Sequence, residues 1–298
     1  MGMKLTKIHR VIEFQQKPWM REYINFNIEK RTVAKNDFEK DFFKLMNNAV
    51  FGKTMENLRK RTDVKLVNNI KKRNKLVSKP NYNSMKIFSE NLVGINMNKI
   101  VLKLNRPIYC GMAILDISKT LMYDFHYNTI LRKYGNRAKL LFTDTDSLCY
   151  EIKTDDIYED IWSEKEKFDL SEYPHSSKFY DPTNKKVLGM FKDETKSKPI
   201  VEFVGLKAKM YSVKTTDSES KRAKGVKKAV IKKDIQHEKY KEILFKGGLM
   251  HVKMTTIRSD HHKLKTLTLN KIGLSAYDDK RYILSNGYDT LAYGYKKV

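Results

Sequence analysis

Hydrophobic positions recur at helical spacing along NDFEKDFFKLMNNAVFGKTMENL, residues 36–58. At about 100° per residue, Phe38, Phe42, Leu45 and Ala49 share one face while Lys40, Lys44, Asn48 and Phe51 share the opposite one. Asn36 and Asp37 supply cap and first-turn residues, and residues 1–60, poor in Gly and Pro, read as helical. Lys71, Lys72, Arg73, Lys75 and Lys79 then precede a Pro-Asn-Tyr-Asn turn signal and read as an exposed basic loop. Apolar runs of β character follow. The stretch GMAILDISKTLMYDFHYNTILRKYG has helical spacing through Ile114, Leu121, Phe125 and Ile130 and stops at Gly135. From Lys139, KLLFTDTDSLCYEI reads as two short strands, LLF and LCYEI, meeting at an Asp-Thr-Asp-Ser junction. Helices interleaved with strand pairs predict an α+β fold.

Charge changes the picture most. Sixty Lys plus Arg against 35 Asp plus Glu leave a formal +25 on 298 residues, which favours a polyanionic partner, nucleic acid first. Between Lys214 and Lys253 there are 12 Lys plus Arg and 5 Asp plus Glu, a local net of +7 suited to tracking phosphates. No apolar run approaches the roughly 20 residues of a spanning helix, and no signal peptide follows MGMKLTKIHR. The chain therefore reads as soluble and intracellular, nuclear or cytoplasmic, with no membrane partner. Cys110 and Cys149 lie in apolar stretches without a CxxC or Cys/His cluster, so a zinc site or disulfide framework is not expected. Trp19 and Trp162 read as packing residues, His261 and His262 as exposed, and Asp278, Asp279, Lys280 and Arg281 as an ion-paired turn.

The chemistry concentrates at Asp144, Thr145, Asp146 and Ser147. Two carboxylates two residues apart between apolar strands need compensation, and a divalent cation with oxygen ligands, Mg²⁺ or Mn²⁺, supplies it. A solvated turn accounts for the same four residues. The pattern alone leaves both readings open.

Three signatures in order resolve it. FTDTDS, Phe142 to Ser147, resembles motif C of family B DNA polymerases; KLMNNAVFG, Lys44 to Gly52, resembles motif B, with Ala49 for the family's Ser and Phe51 for its Tyr; and Lys209-Met210-Tyr211 is similar to the family's Lys-x-Tyr element. Wider stretches, including GMAILDISKTLMYDFHYN and LSAYDDKRYIL, resemble the protein-primed branch found in large DNA transposons and related viruses.

The resemblance implies a right-hand architecture with helical fingers at 1–60, an antiparallel-sheet palm at 61–203 and a basic thumb at 204–298. It implies a two-metal nucleotidyl transfer in which Asp146 ligates the metals and Asp144 supports it. Lys44 and Lys40 would hold the incoming deoxynucleoside triphosphate, with Asn48, Phe51 and Gly52 lining its pocket. Lys209, Tyr211 and Lys207 would contact primer-template DNA, and a terminal priming protein is an expected partner. The family's upstream Asp-x-x-Ser-Leu-Tyr-Pro motif is not found, nor are exonuclease carboxylates. Asp116 has a superficial Asp-x-Ser but reads as structural or exposed. Two rivals remain: a nucleic-acid-binding chain without catalysis, and a nucleotide-sugar transferase, which leaves motif B, the Lys-x-Tyr element and the charge unexplained.

Overall fold

The computed structural model describes residues 4–13, 15–260, 263–278, 280–287 and 290–293. His261, His262 and Asp279 lie outside them. The chain divides into two compact units, residues 1–57 with 104–114, and residues 58–103 with 115–298.

In the first unit, α1 (Arg21–Thr32) packs on α2 (Asp37–Thr54). The Asn36 side chain starts α2 by accepting from the Glu39 N–H at 2.8 Å, and Glu39 accepts from the Lys35 N–H at 2.9 Å, so two orphan donors are satisfied together. Between the helices, Asn27, 2% exposed, donates to the Tyr23 carbonyl at 3.0 Å and to Asn47 Oδ1 at 2.9 Å. The face of α2 turned to α1 thus carries Phe43, Met46, Asn47, Val50 and Thr54. The Phe38, Phe42 and Leu45 face is exposed, because periodicity defines a stripe but not which stripe finds a partner. Described residues before α1 carry no helix, and Trp19 is 69% exposed, both contrary to expectation. Arg106 holds Glu56 through Nη2 at 3.0 Å. At Gly111 a Cβ would meet the Met55 side chain at 2.4 Å and Thr54 Oγ1 at 2.7 Å, so a larger residue would have to displace both.

The second unit begins with an antiparallel sheet, β1 (Asp63–Val67), β3 (Leu92–Met97) and β2 (Tyr82–Ser89) in that order, covered by α3 (Ile70–Val77). The basic stretch expected as a loop is this helix. Asn69 caps it, accepting from Lys71 N at 2.8 Å and Lys72 N at 3.3 Å. Leu76 and Val77 pack on Val67, Ile95 and Met97 while the lysines stay outside.

Helix α4 (Ile108–Asp124) continues through a π-helical turn, Phe125–Leu131, into α5 (Arg132–Tyr134), and Gly135 at φ +54 ends the run where the sequence predicted. Phe125, Ile130 and Tyr134 form a core with Leu148, Tyr150 and Ile152 of an antiparallel hairpin, β4 (Ala138–Asp144) and β5 (Ser147–Ile152). Beyond the hairpin, α6 (Ile157–Ser163) anchors the core: Asp160 accepts from Tyr134 Oη at 2.9 Å and from Thr154 Oγ1 at 2.6 Å. Trp162 packs near Phe179 and under Lys165, whose Nζ lies 4.6 Å from a ring centroid.

The stretch from Lys165 to Pro199 has no α-helix or strand and is pinned by three Asp-x-Ser/Thr turns. Asp169, Asp181 and Asp193 each accept from both the backbone N–H and the hydroxyl of the residue two positions on, Ser171, Thr183 and Thr195. A second sheet follows, β6 (Ile200–Lys207), β7 (Met210–Thr215) and β8 (Glu219–Ala223), all antiparallel. It shares a core with α7 (Lys228–Asp234), α8 (His237–Lys246) and the base of a long ribbon, β9 (Leu249–Asp260) with β10 (Lys263–Ser275); Ile235, Tyr240 and Leu274 are each 0% exposed. A small pair, β11 (Arg281–Ile283) and β12 (Thr290–Ala292), closes the described chain. There Asp278 Oδ1 accepts from the Lys280 N–H, and Arg281 donates to Thr290; Asp279 of the expected ion-paired turn lies outside the described residues. Helices with antiparallel sheets make the fold α+β, as expected. No helix among the described residues is long and apolar enough to cross a membrane.

Candidate functional site

Two hairpin tips meet in the second unit. In the β4–β5 hairpin Asp144 pairs with Ser147, leaving Thr145 and Asp146 as a two-residue turn with Thr145 at φ 57. The Asp146 N–H donates to the Asp144 carbonyl at 2.7 Å, and the Ser147 hydroxyl donates to the same oxygen at 3.2 Å. In the β6–β7 hairpin Lys207 pairs with Met210, leaving Ala208 and Lys209 in the turn with Lys209 at φ 59. Left-handed backbone at a non-glycine residue costs free energy, and here it occurs at both tips.

The tips are joined by charge and by stacked rings. Lys209 Nζ lies 3.4 Å from Asp144 Oδ1, which also accepts from the Thr145 hydroxyl at 3.3 Å. Behind them the Phe142 and Tyr211 rings stack with centroids 4.5 Å apart and planes at 27°, and Phe203 stacks on Phe142 at 5.6 Å. Each such aromatic pair contributes about 0.5–1.5 kcal/mol beyond its buried area. Burial pushes the Tyr211 phenol above its ordinary pKa, Arg222 opposes this, and Asp144 adds to it. Lys207 turns away, donating to the Tyr277 carbonyl at 3.0 Å. Asp146 is exposed, and its carboxylate has no hydrogen-bond or ion-pair partner among the described residues. It borders a cavity of about 830 Å³ that Tyr211 and Arg222 also line.

The other five predicted residues lie on α2, in the first unit. Lys44, Asn48 and Gly52 are exposed, Phe51 is half-buried, and Lys40 lies 3.4 Å from Asp37. A Cβ at Gly52 would meet nothing within 4 Å, so no neighbouring backbone requires that glycine within the fold. Asp116 is exposed beside Lys119, 3.7 Å away.

Sequence inspection missed a buried polar network on α8. His237, 1% exposed, bonds Ser212 Oγ through Nδ1 at 2.7 Å and Glu202 Oε2 through Nε2 at 2.9 Å, while Lys241 lies 2.6 Å from Glu202 Oε1. Glu202, His237 and Glu238 are close enough to hold a metal ion. Lys241 already supplies the positive charge such an ion would bring, and its hydrogen bond, with that of His237, holds the Glu202 carboxyl below the usual range. No sequence signal foretold this group, since its members lie on three separate elements. The stacking of Phe142 on Tyr211 and Phe203 likewise joins separate hairpins and had no local signal.

Residues 2–130 match the family model described as DNA polymerase type B, organellar and viral, a stretch that takes in α1 to α4 and stops short of the β4–β5 hairpin. No curated protein and no solved structure matches the chain. Over residues 2–130, a stretch that includes α2, the chain is similar to family B DNA polymerases.

Proposed function

We propose that this chain takes part in template-directed transfer of deoxynucleotides to a primer 3′ end, with Asp144 and Asp146 as the carboxylates of a metal-dependent centre. The observation that supports this most is the approach of Lys209 to Asp144 at 3.4 Å, which brings the Asp-Thr-Asp-Ser turn and the Lys-x-Tyr element, 62 positions apart from Lys209 back to Ser147, to one place. A carboxylate-rich tip beside a cation and an aromatic ring suits a site that gathers phosphates next to a strand end.

The donor set fits Mg²⁺ or Mn²⁺: two carboxylates with hard oxygens, Asp146 exposed and unpartnered among the described residues, Asp144 balanced by a single lysine. A bound divalent cation would neutralise charge on the triphosphate during transfer. Asp146 would hold it directly and Asp144 would support it, while Thr145 and Ser147 fix the turn that aims both. In the other unit Lys44 and Lys40 would bind the triphosphate as point charges, beside Asn48, Phe51 and Gly52. Residues 1–60 then act as fingers, 61–203 as palm and 204–298 as thumb, with primer-template DNA as partner and a terminal protein as a source of primer.

Single-nucleotide primer extension by the purified chain with Mg²⁺ and then Mn²⁺, beside Asp146→Ala, tests this. Metal-dependent extension lost in the variant is expected. Extension that survives Asp146→Ala overturns the assignment, and salt-sensitive binding of primer-template without extension reduces the chain's role to holding nucleic acid.

A further inference from the structure

Of the cations lining the cavity beside Asp146, all but one are matched by acids. Lys192 lies 2.5 Å from Glu172, Lys196 lies 3.3 Å from Glu172, and Lys198 pairs with Asp217. Arg222 is the exception among the described residues. It is exposed, its Nη1 donates to the Lys221 carbonyl at 3.2 Å, and no carboxylate among the described residues lies within ion-pair distance.

Its position is fixed by register. Tyr211 of β7 pairs directly with Arg222 of β8, so both side chains stand on one face of the sheet, and the next pair on that face is Val213 with Ser220. That face forms one wall of the 830 Å³ cavity, with Asp146 also at its boundary and the hydroxyls of Ser218 and Ser220 along it. A guanidinium carries five donors in a planar fork, stays charged at any working pH, and grips a phosphate through two parallel bonds. Neutral hydroxyl donors beside it suit the remaining oxygens of a phosphodiester.

We infer that Arg222 is a binding residue for backbone phosphates of the nucleic-acid strand whose end lies at Asp146, a site that extends along β8 from Tyr211. This rests on the functional reading above, and goes beyond the Lys-x-Tyr element by adding a second strand of the sheet to the binding surface. The same phosphate chemistry is offered by a nucleoside triphosphate, so the experiment must separate the two sources.

Fluorescence anisotropy of a labelled primer-template, titrated with the full chain across a range of salt, provides the separation. Arg222→Gln is expected to weaken binding and to lower the magnitude of the logarithmic salt slope by about one, while Arg222→Lys keeps the slope. A primer whose terminal phosphodiesters are replaced by uncharged methylphosphonates should weaken the unmodified chain by a similar factor and leave Arg222→Gln little more to lose. Because Arg222 is exposed, the melting temperature of the variant should match that of the parent. An unchanged slope in Arg222→Gln, an undiminished loss on the methylphosphonate primer, or an effect confined to the nucleotide KM overturns this inference alone. Failure of the unmodified chain to bind primer-template overturns the functional reading and this inference with it.

Discussion

Lys209 Nζ and Asp144 Oδ1 are 3.4 Å apart, each on a hairpin tip, with side chains 63% and 35% exposed. At that exposure, solvent screens the pair and it contributes about 0–1 kcal/mol to stability. Lys209→Met, which keeps the stem and removes the charge, should therefore change the unfolding free energy by less than about 1 kcal/mol. It should nonetheless weaken primer-template binding and flatten its salt dependence. Urea denaturation and anisotropy on the same preparations check this; a large loss of stability with unchanged binding would make the pair a structural clip instead.

The turn that carries Asp144 was legible because short apolar strands on both sides and the polar residues at its tip are local signals, and the end of the α4 to α5 run was legible at Gly135 for the same reason. The meeting of that turn with Lys209 depends on packing between residues far apart in sequence, which no local pattern encodes. The lysine-rich stretch before Pro80 misled because its charge outweighed its two apolar residues, Leu76 and Val77, which suffice to seat one short helix on β1 and β3. On α2 the helical spacing was right but did not reveal the buried stripe, which lies on the smaller, more polar face where Asn47 answers Asn27 of α1.

Gly52 sits inside α2 with open space around the position of a Cβ. Gly52→Ala should stabilise the chain by about 0.5–1 kcal/mol, because the glycine's extra freedom in the unfolded state is removed at no steric cost. Denaturant midpoints measure it. If the face of α2 carrying Lys44 and Asn48 receives a nucleotide, the same substitution should raise the nucleotide KM, so a more stable and less active variant is the expected combination. A destabilised variant would mean that the helix meets a neighbour at Gly52.

Cys149 is 8% exposed on β5, and burial pushes its thiol up to about 11. The thiolate is the reactive form, so at pH 8 about one part in a thousand is available even before access is considered. Cys110, half-buried in α4, should react with a thiol reagent in the native chain while Cys149 waits for denaturant. Peptide mapping after timed alkylation distinguishes the two. Equal labelling of both under native conditions would show that the core between the π-helical turn and the β4–β5 hairpin opens readily.

Asp169 fixes the irregular stretch that walls the cavity, accepting from the Ser171 hydroxyl at 2.6 Å, the Ser171 N–H at 3.0 Å and the Lys186 N–H at 3.1 Å, with Lys192 3.6 Å away. Burial by itself would raise its carboxyl; the Ser171 and Lys186 bonds and the Lys192 charge outweigh that and hold it below the ordinary value. A carboxylate depressed on folding contributes stability that is fully present above its unfolded pKa, about 3.9, and is lost as pH falls through the lower folded value. Asp169→Asn should cost about 1–3 kcal/mol near pH 7, and the gap between variant and parent should close progressively below about pH 4. Melting temperatures of both proteins across pH 3 to 8 provide the measurement. A gap that stays constant down to pH 3 would mean that hydrogen-bond geometry the amide cannot reproduce, and not the charge of Asp169, holds the stretch in place.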